Sequence, residues 1–100
     1  TPMLMLPRAA LEDEAREQGA LGKKIAVLAI DRLPAGLPGL ALSNEADAYA
    51  HGLYAAMRQL DAGGQQLLLV ERPPEGTQWL AVHDRLRRAV AGAGIEDDSP

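Results

Sequence analysis

Apolar residues along the chain fall into short continuous runs and longer periodic stretches, and the two kinds alternate. Met3 to Leu6 is an apolar run stopped by Pro7, which predicts a buried strand. Arg8 to Gln18 is rich in helix formers with a thin stripe at Leu11 and Ala15, and predicts a helix closed by Gly19. Ile25 to Ile30 is the clearest strand, because a near-continuous apolar run suits a strand covered on both faces. Arg32 to Gly39 carries Pro34, Gly36, Pro38 and Gly39 and reads as a loop, with Leu40-Ala41-Leu42 as a brief strand beyond it.

Ser43 or Asn44 is a good N-cap for the strongest helix, Glu45 to Leu60. Its residues Ala46, Tyr49, Ala50, Leu53, Met57 and Leu60 share one face. Gln66 to Val70 predicts another strand, and Thr77 can cap a last helix from Gln78 to about Ala91. That helix would turn Trp79, Val82, Leu86, Ala89 and Val90 inward and end at Gly92 and Gly94. Residues 1–95 are expected to form one domain and 96–100 an acidic disordered tail.

Strands alternating with helices imply an α/β fold: a three-layer, Rossmann-like domain with a mostly parallel four-stranded sheet and helices on both faces. We expect the strand order 3-2-1-4, which places Met3–Leu6 beside Gln66–Val70. Ligands of open α/β sheets bind beyond the carboxyl ends of the strands, so Arg8, Asp31, Glu71 and Arg72 are the candidate crevice residues, with Pro7 beside them.

Composition narrows the chemistry. The chain has 100 residues, a net charge of −4, no cysteine and only three aromatic residues: Trp79, Tyr49 and Tyr54. The absence of cysteine rules out a disulfide framework, a thiolate metal site and a cysteine nucleophile. A negative balance speaks against direct nucleic-acid binding. No apolar run approaches the roughly 20 residues that span a bilayer, so no membrane association and a cytoplasmic location are expected.

The glycine-containing stretch Gly19 to Lys24 does not have the spacing of a phosphate loop, and it closes a helix instead of opening one. It reads as a helix cap with solvated lysines. No glycine fingerprint follows the first strand, where Pro7-Arg8-Ala9-Ala10 stands, so Asp31 reads as a turn acid more readily than as a ribose ligand. His51 and His83 are isolated, with no nucleophile or second ligand at a useful spacing, so neither a catalytic residue nor a metal site is assigned. Arg85, Arg87 and Arg88 form the one basic cluster. They can contact RNA or an acidic partner, or simply complement a helix C-terminus.

Several stretches together resemble one family. Thr1-Pro2 leading into an apolar strand, KKIAVLA (23–29), AYAHGLYAAMRQLDAGG (48–64) and LLLVERPPEGTQWLAVHDRLRRAVAG (67–92) are similar to the C-terminal domain of the long, two-domain threonylcarbamoyl-AMP synthases of the YrdC/Sua family. Arg32–Gly39 is the least family-like segment, and Trp79 stands where many relatives carry a smaller residue.

The resemblance implies a parent enzyme that uses ATP and a divalent metal to make threonylcarbamoyl-AMP for tRNA modification. It also implies that chemistry belongs to an N-terminal YrdC-like domain absent from these residues. This piece is then expected to hold no cofactor and to be inactive alone. Its partner would be the catalytic domain of the same chain, with tRNA involved only indirectly and pairing of two copies left open. The alternative is a stand-alone nucleotide- or metabolite-binding module built on the Arg8–Glu71 crevice.

Overall fold

A computed structural model describes the backbone of residues 2–98 and the side chains of residues 2–90. Eight elements follow in order: β1 (Met3–Leu6), α1 (Arg8–Ala20), β2 (Ile25–Ile30), β3 (Gly39–Leu42), α2 (Ala46–Ala62), β4 (Leu67–Glu71), a single 3-10 turn (Thr77–Trp79) and α3 (Leu80–Asp98). The four strands form one all-parallel sheet in the order β1-β4-β2-β3. The chain is thus an α/β protein with a Rossmann-like, three-layer layout.

The expected order 3-2-1-4 is corrected here. β1 does pair with β4, but β4 and β2 hold the middle and β1 is an edge strand. Burial supplies the reason. Leu68, Leu69 and Val70 of β4, like Val27, Leu28 and Ala29 of β2, are almost wholly buried on both faces, as interior parallel strands require. β1 is only half covered and leaves Leu4 exposed. Both orders satisfy right-handed crossovers, so the connection rules alone did not choose between them.

Alternation along the two central strands divides the interior. Ala26, Leu28, Ile30, Leu68 and Val70 face α2 and α3, where they meet Tyr49, Leu53, Ala56, Leu60, Trp79, Val82 and Leu86. Val27, Ala29 and Leu69 face the other way, against Leu11 and Ala15 of α1. One helix does not cover that face. Leu33 and Leu37, from the loop that joins β2 to β3, pack there and do the work of a missing crossover helix.

Local signals hold with small shifts. α1 ends in a glycine cap, but at Gly22 and not Gly19: Gly22 has φ +84° and donates to Gly19 O, and Lys23 N donates to Gln18 O. Lys23 and Lys24 are exposed, and Lys24 Nζ reaches Gly63 O at 3.0 Å. Neither Ser43 nor Asn44 caps α2. Glu45 is the N-cap residue, and the Ser43 hydroxyl accepts from Glu45 N at 3.1 Å.

Thr77 likewise caps nothing; it opens the 3-10 turn that seats Trp79, and α3 begins after it. α3 passes through Gly92 and Gly94, which weaken a helix without breaking it. Side chains of the expected acidic tail, 96–100, lie outside the described residues.

Candidate functional site

The carboxyl ends of β1, β4 and β2 lie side by side, and they bring the candidate crevice residues together. Arg8 opens α1 directly after β1, Glu71 is the last residue of β4, and Asp31 and Arg72 immediately follow β2 and β4. The Arg8 guanidinium spans the strand ends. Its Nη1 donates to Glu71 Oε1 at 2.9 Å and to Ile30 O at 3.2 Å, and its Nη2 donates to Arg32 O at 2.9 Å. Glu71 Oε1 also accepts from Ile30 N at 2.9 Å. One ion pair therefore ties α1, β4 and the end of β2, which are far apart in sequence.

Electrostatically the pair is lopsided. The Glu71 side chain is 11% exposed and the Arg8 side chain 41% exposed, so the carboxylate is desolvated and the guanidinium still meets water. The two hydrogen bonds to Glu71 offset its burial. Beneath them lies Tyr49, wholly buried on α2, with its ring edge-to-face on Trp79 at 5.5 Å and its hydroxyl without a hydrogen-bond partner. Burial, and secondarily the Glu71 carboxylate, push the Tyr49 phenol well above its ordinary value. It is a neutral group at any working pH.

Asp31 takes the left-handed conformation at φ +72°, donates its backbone N–H to Leu42 O at 2.7 Å, and leaves its side chain exposed. That is the behaviour of a turn acid. Arg72 is exposed and is fixed through its backbone N–H on Leu6 O at 2.7 Å. Pro7 and Arg8 stand where a dinucleotide fold keeps its glycines, and the Arg8 side chain occupies the space above β4 and β2. Arg8 thus turns its guanidinium to Glu71 and to the Ile30 and Arg32 backbones, where a dinucleotide fold has an open glycine turn.

The remaining candidates are dispersed. Arg88 pairs with Asp84 at 3.0 Å on the exposed side of α3, Arg87 is exposed, and Arg85 lines a groove between α2 and α3. Because α3 runs to Asp98, these arginines sit in its middle, so the expectation that they complement a helix C-terminus is corrected. His83 Nε2 contacts Pro74 O at 2.9 Å, and His51 Nδ1 contacts the Asp47 carbonyl, not its carboxylate, at 3.2 Å. Among the described residues no cluster of three or more His, Asp or Glu could hold a metal ion, and no helix is long and apolar enough to cross a membrane.

Reading the sequence did not assign Tyr49, the Ile30 backbone or the Arg32 carbonyl to this site. Tyr49 lies 22 residues before Glu71 and matches the packing stripe of its own helix, so no local signal could have linked the two. No curated protein and no solved structure matches the chain. Residues 1–91 match the family described as threonylcarbamoyl-AMP synthase, C-terminal domain, and the chain belongs to that family.

Proposed function

We propose that this domain is the accessory C-terminal part of an enzyme that makes threonylcarbamoyl-AMP for tRNA modification, and that it docks on the catalytic domain and anchors the linker between them. The single observation that carries this reading is the Arg8–Glu71 closure of the strand ends. Where a Rossmann-like enzyme would hold its cofactor, this chain spends its best-placed cation and carboxylate on each other and on the Ile30 and Arg32 backbones. The domain is then a rigid body without chemistry of its own.

Its position beside the chemistry gives it a use. β1 hydrogen-bonds along β4 from the Pro2 carbonyl onward, so the sheet offers a fixed point at Pro2 from which a preceding linker would run. A linker fixed at one end in this way can act as a lid whose closure excludes water and orders substrate. ATP, threonine, bicarbonate and any divalent metal would belong to the catalytic domain, and tRNA would be reached only through the product. The setting would be the cytoplasm.

The test is turnover of the parent enzyme with and without this domain. Deletion after the linker is expected to cut threonylcarbamoyl-AMP formation by at least about tenfold, the scale on which positioning contributes, with the isolated domain inactive. Undiminished turnover in the truncated enzyme would sink the lid. Saturable binding of ATP, AMP or threonine by the isolated domain, with amide shifts at Arg8, Asp31 and Glu71, would favour the metabolite-binding alternative.

A further inference from the structure

The groove between α2 and α3 lies away from the strand ends and has no part in the closure there. Ala50, Leu53, Tyr54 and Met57 line it from α2 and Arg85 from α3, enclosing a volume of about 340 Å³. Tyr54 stands 73% exposed at its rim, with the Arg58 guanidinium 5.6 Å from the ring centroid. That stack holds a large amphipathic side chain beside an open apolar cleft. No ion pair among the described residues engages Arg85.

Charge says what kind of surface fits. The chain as a whole carries −4, yet this cleft is apolar at its floor and carries arginines at two sides of its rim. The acidic run Glu12, Asp13, Glu14 and Glu17 belongs to α1, on the opposite face of the sheet. α2 carries Asp47 and Asp61 and α3 carries Asp84, which Arg88 holds, so among the described residues Arg85 is the one charged side chain that lines the cleft itself. A complementary partner inverts that layout, with an aliphatic side chain to enter the cleft and carboxylates to meet the rim. Exposed Tyr and Arg around an apolar pocket are also the residue types that anchor protein interfaces.

We propose that this groove docks an acidic amphipathic helix of a partner protein, which sets a leucine-like side chain against Leu53 and Met57 and its carboxylates against Arg85 and Arg58. RNA suits the cleft less well. The Arg58 guanidinium already covers the Tyr54 ring, the lining is almost wholly apolar, and the molecular field opposes phosphate.

The probe is a synthetic amphipathic helix with leucine on one face and glutamate on the other, titrated into the whole chain while backbone amide shifts are followed. The glutamate helix is expected to saturate, with shifts centred on residues 50–58 and 82–86. Arg85→Glu and Tyr54→Ala each weaken it by about tenfold, and Arg16→Glu on α1 leaves it unchanged. Both groove side chains are exposed, so the variants keep the parent's amide spectrum elsewhere. The proposal is overturned if the glutamate helix does not saturate or shifts residues elsewhere. It is equally overturned if a lysine-for-glutamate counterpart binds as well, or if a single-stranded RNA oligonucleotide occupies the groove in preference. None of these outcomes bears on the family of the domain.

Discussion

Glu71 draws its neighbours into one electrostatic unit. Its carboxylate is held by Arg8 and the Ile30 N–H, and it opposes ionisation of the buried Tyr49 hydroxyl, which has no hydrogen-bond partner. An unpartnered buried hydroxyl is a cost, so Tyr49→Phe is expected to leave stability unchanged or raise it by up to about 1 kcal/mol in urea unfolding at neutral pH. The sign of the pH effect follows from the direction of the shift. The folded state holds the phenolic proton more tightly than the unfolded chain, whose tyrosines titrate near pH 10. Stability is therefore complete below about pH 10 and is lost as pH rises toward the higher folded value. Tyr49→Phe should flatten that alkaline loss. A phenylalanine variant that is less stable at neutral pH would mean that the hydroxyl has a partner after all.

Elements are delimited by two glycines of different kinds. Gly22 turns the chain out of α1 at φ +84° with open space around a would-be side chain, so Gly22→Ala suffers backbone strain alone, about 1 kcal/mol. Gly39 opens β3 at φ +143°, and a Cβ there would run into the Val27 backbone carbonyl of β2. Gly39→Ala must push β3 off β2 or twist the strand, so it should cost at least twice as much as Gly22→Ala. Thermal unfolding of the two variants side by side checks this, and equal losses would show that β3 can move aside freely. The difference matters because Asp31 N bonds to Leu42 O at the far end of the same pair of strands, and the turn at the crevice leans on it.

At the scale of the molecule, the sheet separates two cores that share only backbone. Leu11, on α1, is wholly buried on one face of the sheet, and Leu86, on α3, is wholly buried in the core of the other. Each leucine truncated to alanine should cost about 3 kcal/mol. The double variant should lose the sum within about 0.5 kcal/mol, because no side chain is common to both surroundings. A larger coupling, read from urea unfolding of the two single variants and the double, would mean that strain passes through the sheet. Two separate cores, with the Arg8–Glu71 pair tying the strand ends, suit the linker-anchoring role proposed above.

Much of this was determined by sequence alone. Continuous runs in β2 and β4 and the periodic face of α2 specify an alternating α/β chain, and each is set by neighbours within a few residues. Arg8, Asp31, Glu71 and Arg72 follow or close strands of one direction, so any parallel sheet gathers them at the same end. Strand order is different. Met3–Leu6 and Leu67–Val70 have equally apolar patterns, and only competition for the fully covered places put β4 inside and β1 at the edge. The helix caps also moved, because Ser43, Thr77 and Gly19 offered signals that neighbouring residues outbid. Tertiary structure alone set Glu71 near Tyr49, made Arg8 fill the crevice it was expected to line, and opened the groove beside Tyr54. Each of these joins residues distant in the chain, and such pairings depend on which faces are left after the core has closed.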